Sequence, residues 1–240
     1  MIKVFRYVIE LLDTLFYSRE GLSGAITPKY LHATAVNHAV AYALGINPEN
    51  QPYIISENNG GRNIPRYENS LISEDFYFTP ARPKDNITYL PEIVKGELDG
   101  FVKRGYGAGA GGRAEVLKAS RLFSIPPEMK FEGYLLCKKE FDFPRVVRLG
   151  SFRGKAKLEI GEVKVAREKS EELVEHPVDP LVSEVMRGVM INMFPYPIVE
   201  NAVCKECIEI REKGLRKYVS LPWGFQVEKS ERPKGRTLIF

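Results

Sequence analysis

Residues 145–157 read RVVRLGSFRGKAK and place Arg145, Arg148, Arg153, Lys155 and Lys157 in one block without an acid. Guanidinium and ammonium groups at this density neutralise phosphates and release their condensed counterions. Gly150, Phe152 and Gly154 sit among them. Glycine lets a strand approach a phosphate or sugar with no Cβ in the way. An aromatic face stacks a base for about 1–3 kcal/mol. In an extended chain Arg153, Lys155 and Lys157 share one face and can track successive phosphates. Nucleic-acid contact is one reading of the block. A strand with a solvated basic face, and Phe152 in the core, is the other.

A second cluster follows the same logic. Lys103, Arg104 and Arg113 flank GYGAGAGG, with Tyr106 inside as another stacking candidate. Glycine loops beside basic residues can drape over a backbone and present several N–H donors. A plain loop tip is the alternative.

Other chemistry has weaker support. The run GSFRGK has three residues between its glycines and Ala156 after the lysine; a phosphate-binding P-loop needs four, then Ser or Thr. GYGAGAGG lacks the βαβ context of a dinucleotide site. Cys204 and Cys207 form a lone CxxC with no second pair to complete a zinc site. In a continuous strand their thiols face opposite ways, which favours two packed thiols. The histidines are His32, His38 and His176. His32 and His38 lie about 120° apart around a helix axis. Either one, with a nearby Lys or Tyr, could move protons in metal-independent RNA cleavage; packed or polar-face histidines are the simpler reading.

The elements that must position these residues follow from pattern. Residues 3–12 predict a strand. Thr27 as cap and Pro28 at the first position predict a helix through KYLHATAVNHAVAYAL, closed by Gly45. Its apolar stripe is Leu31, Ala35, Ala39 and Tyr42. Residues 47–70 read as a long polar loop. Strands are expected at 74–80, 117–125, 130–138 and 155–168, and a second helix at 179–193. The tail from 198 to 240 reads as a hairpin with its turn at Glu212-Lys213-Gly214, plus a last strand. The sum is an α+β protein built on an antiparallel sheet.

Composition sets the frame. The chain has 240 residues, room for one large domain or one with a small lobe. Its 35 basic and 31 acidic residues leave +4, too little by itself to imply a polyanion partner. The distribution is uneven, with eight bases against three acids in 211–236 and seven acids against three bases in 159–179. Three cysteines exclude a disulfide framework and suit a reducing compartment, so a cytoplasmic location is expected. No run of 18 apolar residues predicts a membrane span, and the N-terminus reads as a strand rather than a signal peptide.

Six segments stand in an order that resembles a known family. They are LFYSREG (15–21), YLHATAVNHAVAYALG (30–45), TPARP (79–83), FPRVVRLGSFRGKAKLEI (143–160), HPVDP (176–180) and MINMFPYPIVENAV (190–203). The family is the Cas-five effector subunit of type I-D CRISPR systems, in the variant called Csc-one, within the RAMP superfamily. The resemblance implies a single RAMP-type domain over 1–240. Its core would be ferredoxin-like or RRM-like, with an antiparallel sheet and C-terminal strands in 198–240. It also implies an inserted β-hairpin thumb, for which 57–75 and 100–113 are candidates and the former is preferred.

The implied role is antiviral. One copy caps the foot of the surveillance complex, Cascade, and grips the 5′ handle of the CRISPR RNA. Its neighbours would be the large subunit and a backbone subunit, near the PAM of the target DNA. Arg145, Arg148, Lys155 and Lys157 become backbone contacts, and Phe152 and Tyr106 stacking candidates. A separate processing ribonuclease in such systems implies no catalysis and no cofactor here. The alternatives are an endoribonuclease that processes precursor CRISPR RNA, and a pure protein scaffold.

Overall fold

The structure, a computed structural model, describes residues 2–17, 25–46, 55–57, 63–65, 72–95 and 119–225. In chain order the elements are β1 (Lys3–Leu11), β2 (Ala25–Ile26), α1 (Ala33–Ala43), β3 (Ile55–Glu57), β4 (Asn63–Pro65), β5 (Phe76–Phe78), β6 (Arg82–Pro83), β7 (Leu90–Lys95) and β8 (Ala119–Ser124). They continue with β9 (Lys130–Cys137), β10 (Val146–Leu149), β11 (Gly154–Glu162), β12 (Lys164–Lys169), β13 (Glu172–Leu173), β14 (Val185–Ile191), β15 (Ile198–Cys204), β16 (Cys207–Glu212) and β17 (Leu215–Ser220).

The central sheet has the order β10-β11-β1-β9-β5, every pair antiparallel, with β6 also on β9. Because β1 and β5 both oppose β9, they run parallel to one another with α1 in the connection between them. Period-two alternation in β1 sends Tyr7, Ile9 and Leu11 to the face that α1 covers. Val4 goes to the opposite face, where β16 and β17 supply Ile208, Ile210 and Val219. The sheet β12-β16-β17 is in turn overlaid at one end by β13-β15-β14, through Val199, Ala202 and Cys204. The β2-β8-β7 sheet and the β3-β4 hairpin lie outside this stack.

Several expectations need correction. The helix begins at Ala33, with His32 as cap, its Nδ1 accepting from the Thr34 N–H at 3.1 Å. Residues 27–31 stay non-helical, bending at Lys29 and Tyr30, because Thr27 N–H bonds Phe123 O at 3.0 Å and Leu31 exchanges backbone bonds with Ala81. Gly45 does close the helix in the left-handed region, at φ +70°. Of the expected stripe, Leu31, Ala35 and Ala39 pack on the core, but the buried face is rotated away from Tyr42. Val36, Asn37 and Val40 turn inward, whereas Tyr42 is 78% exposed. Asn37 sets this rotation: its amide donates to Phe78 O at 2.8 Å and accepts from Phe78 N–H at 2.9 Å, tying α1 to β5.

No second helix forms in 179–193. Asp179 caps only a turn, accepting from Leu181 N–H at 3.0 Å, and Val185–Ile191 is a strand on β15. Gly188 weakens a helix there, and it lets β14 close on β15, where an added Cβ would come within 2.3 Å of Val199. The expected strand at 155–168 is two, because the chain leaves the central sheet at Val163 and joins β16. The 212–214 turn stands as expected, with Lys213 and Gly214 both at positive φ. The last strand expected beyond it falls mostly in 226–240, outside the described residues.

Candidate nucleic-acid interface

The basic block folds as the β10–β11 hairpin at the outer edge of the central sheet. Val147, Leu149, Ala156 and Leu158 point into the core; Arg148, Lys155 and Lys157 point to solvent. Arg148 and Lys155 are direct cross-strand neighbours. The connecting turn runs from Gly150, φ +75°, to Arg153, φ +53°, closed by an Arg153 N–H to Gly150 O bond of 3.1 Å. Arg153 therefore sits in the turn and does not continue the Lys155–Lys157 face.

The turn is fastened to the chain that leaves β1. Ser151 N–H donates to Phe16 O at 2.7 Å, Lys155 N–H to the Asp13 carboxylate at 2.8 Å, and Leu12 N–H to Lys155 O at 2.9 Å. This corrects the role expected of the glycines. A Cβ on Gly150 would stand 2.6 Å from Phe16 O, and one on Gly154 3.0 Å from Thr14 O. The room they provide is filled by the protein's own backbone, not by a phosphate spine. Phe152 is neither core nor fully open: one ring face stacks on Phe16 at 5.6 Å and 25°, and the side chain is 46% exposed.

Charge is then sorted by pairing. Arg145, Arg148, Arg153 and Lys155 are exposed, and among the described residues none has an acidic partner. The Arg148 guanidinium donates to Arg153 O at 3.3 Å. Lys157 differs: its ammonium lies 2.5 Å from Glu159, and this hydrogen bond and attraction raise its pKa. Further in, Glu132 joins Arg6 and Arg82, and Lys130 lies 3.6 Å from Glu10. At this edge of the sheet, cations without acidic partners thus stand just before β10, on β10, in the turn and at the start of β11.

Beside Arg145 a cleft of about 690 Å3 is lined by Phe5, Phe141, Phe143 and Ile160, with Lys3 and Glu140 paired at its rim. Sequence reasoning misses these aromatic residues; the available signal is the Phe141-x-Phe143 pair just ahead of the basic block. Lys103, Arg104, Tyr106 and Arg113 lie outside the described residues. The strands that flank them, β7 and β8, pair antiparallel up to Lys95 and Ala119.

The histidines take structural positions. His32 is 1% exposed, packs edge-on against Tyr196, and burial pushes its pKa down to about 3. His38 faces the Thr34 carbonyl through Nδ1 at 2.8 Å. His176 is buried, accepts from Ser220 N–H at 3.1 Å, and is pushed down to about 4 by burial. Cys204 and Cys207 flank a two-residue turn between β15 and β16 instead of sharing one strand, and both are buried in a single apolar cluster. Among the described residues no group of three His, Cys, Asp or Glu is placed to hold a metal.

Solved structures with partial likeness include two chains of Type III-B Cmr-beta cryo-EM structures. One, bound to cognate target RNA, is 16% identical with a TM-score of 0.40, covering 67% of this chain and 61% of that one. The other, with cognate target RNA and AMPPnP in state 1, is 11% identical with a TM-score of 0.43, covering 83% and 86%. No curated protein matches. Residues 2–230 match the family described as type I-D CRISPR-associated protein Cas5/Csc1, and the chain belongs to that family.

Proposed function

We propose that this protein is a non-catalytic Cascade subunit that grips the 5′ handle of the CRISPR RNA along the β10–β11 edge. The observation that carries the reading is the set of four exposed cations, Arg145, Arg148, Arg153 and Lys155, without acid partners among the described residues. Arg153 sits in the turn and Arg148 and Lys155 flank it on β10 and β11, with the turn fastened to the chain that leaves β1. Single-stranded RNA is held through phosphate contacts and stacked bases, and the half-open Phe152 ring offers one stacking face. In this reading the large subunit, a backbone subunit and PAM-proximal DNA lie alongside.

The strand order supports a ferredoxin-like core. β1, α1, β5, β9 and β11 reproduce a β-α-β-β…β order with β11 and β9 flanking β1. β10 occupies the stretch between β9 and β11, where such a core carries its second helix. Two antiparallel pairs support the thumb: β3–β4, and β7–β8 with the glycine-rich basic segment at its end. Absence of catalysis is supported by His32, whose buried Nδ1 serves the helix cap.

The test is fluorescence anisotropy of labelled repeat-derived RNA with the full chain in EDTA. Arg148→Ala with Lys155→Ala should weaken binding and flatten the log Kd against log salt slope by about 1.4, at about 0.7 per lost contact. Unchanged binding refutes the interface. RNA cleavage in EDTA that disappears in His32→Ala or His38→Ala refutes the non-catalytic assignment.

A further inference from the structure

The outward face of β12-β16-β17 carries charge that the β10–β11 reading does not use. Lys164, Arg211 and Arg216 are direct cross-strand partners in three adjacent strands, so they stand in one row on one face. Like charges placed directly opposite one another work against a sheet. Neither Lys164 nor Arg211 has an acidic partner among the described residues. The next row is Arg167, Glu209 and Tyr218. Glu209 is 2% exposed and receives Arg167 at 3.2 Å and Arg216 at 3.9 Å, while those two arginines stay 62% and 66% exposed. One buried carboxylate thus holds two guanidinium stems and leaves their outer edges to solvent.

Nearby acids do not cancel the row. Glu212 belongs to the inner face, where it meets Arg6 at 3.2 Å and Lys217 at 2.8 Å. Glu162 lines a cleft at the edge of the row together with Lys164 and Arg211, without an ion pair to either. β13-β15-β14 covers the sheet at the Cys207 end, and the arginine end is open.

We infer that the Lys164–Arg211–Arg216 row, with Arg167 beside it, is a second anion-binding surface that takes the phosphate backbone of a nucleic acid. Strand spacing of about 4.8 Å spreads the row over roughly 10 Å. At about 3.4 Å of rise per phosphate in one strand, that length meets about three successive phosphates. An anion laid across the row supplies the compensation the fold lacks. The surface is on a different sheet from the β10–β11 hairpin, and it stands whether or not the hairpin reading does.

The experiment uses the full chain with a mixed-sequence single-stranded RNA and a duplex DNA of equal length, titrated across a potassium chloride series. The variant Lys164→Gln/Arg211→Gln/Arg216→Gln should flatten the salt slope by about 2.1 if single-stranded RNA is the ligand, or by about 2.7 if duplex DNA is. The oligonucleotide affected identifies the source of the phosphates. The melting temperature of Lys164→Gln/Arg211→Gln, which leaves the Arg216–Glu209 pair in place, should equal or exceed that of the wild type, because these two substitutions remove like-charge repulsion. Wild-type slopes with both oligonucleotides overturn the proposal. Lower melting overturns the argument that the row is unfavourable to the fold. Arg211→Gln alone should shift the slope by about one third as much. Arg148→Ala/Lys155→Ala, run in parallel, separates the two surfaces. If only that variant loses affinity, this surface fails and the hairpin stands; if only the triple variant does, the converse holds.

Discussion

Replacing Gly150 by alanine probes how tightly the hairpin is bound to the chain that follows β1. At φ +75° a side chain costs about 1–2 kcal/mol. The new Cβ would also meet Phe16 O at 2.6 Å and Leu15 Cδ1 at 2.8 Å. Leu15 is buried, so relief requires backbone movement, and overpacking of that kind costs about 1–3 kcal/mol. The sum is about 2–5 kcal/mol. For a chain of this size 1 kcal/mol moves Tm by about 2–4 °C, so a drop of roughly 7–14 °C is expected from the middle of that range. Gly214→Ala is the matched control: its φ is +80°, but nothing lies within 4 Å of the added atom. It should lose only the backbone part, about 1–2 kcal/mol. Thermal unfolding followed by circular dichroism measures both, with Gly161→Ala as a baseline in open space. Equal melting temperatures for Gly150→Ala and Gly214→Ala would show that the turn is not pressed against Phe16, and the rigid-turn argument would fail.

Asn37→Ala removes both partners of the Phe78 peptide groups and leaves them buried; at about 1–3 kcal/mol per unsatisfied group, urea denaturation should show a loss of about 2–6 kcal/mol. Burial holds His32 near pKa 3 and His176 near pKa 4, both below the ordinary 6.5, so the unfolded chain binds more protons in the window between. Their contribution is complete above pH 6.5 and is lost as pH falls, towards 4 for His176 and towards 3 for His32, at about 1.4 kcal/mol per pH unit for each residue. Denaturation of His176→Gln at pH 7.5 and pH 5 should therefore show a smaller difference than wild type, and an equal difference would refute the assignment. Cys137 and Cys204 are buried with pKa values pushed up to about 12, and burial also raises Cys207. Iodoacetamide should modify them slowly in the native chain and rapidly in urea, as read by intact mass.

The parts of the fold legible in the sequence are those that local chemistry decides. β1 follows from its β-branched and aromatic residues, and Gly45 and the 212–214 turn from the left-handed backbone they need; the 145–157 block shows its charge and glycines but reads as extended, and its fold into the β10–β11 hairpin is not visible. The misreadings arise where distant partners override local preference. Thr27-Pro28 resembles a helix start, yet pairing with Phe123 and Ala81 keeps the following residues out of the helix. Asn37 lies outside the apolar stripe, and only the two backbone groups of Phe78 make it part of the buried face. Residues 185–191 carry a helix-compatible pattern until β15 presents an edge to them. At the interface, the cations are visible in the sequence, but which of them are neutralised is not. Lys157 meets Glu159 two residues along the same strand, whereas the Asp13 carboxylate reaches the Lys155 N–H only because of the path taken after β1 and leaves the ammonium unpaired. The Lys164–Arg211–Arg216 row is hidden for the same reason, since its members come from two separate stretches of the chain.

The bonds from Leu12, Asp13 and Phe16 to the 151–155 turn also bear on how a ligand is chosen. A loop of arginines that orders only on contact would mould itself to many backbones and lose conformational entropy with each. Here the guanidinium and ammonium stems rise from a preorganised platform. A strand whose curvature matches their spacing gains every contact together, and one with another curvature gains few. Discrimination at this edge would then reside in the path of the sugar–phosphate chain, with base identity contributing mainly through how readily each sequence bends to follow it.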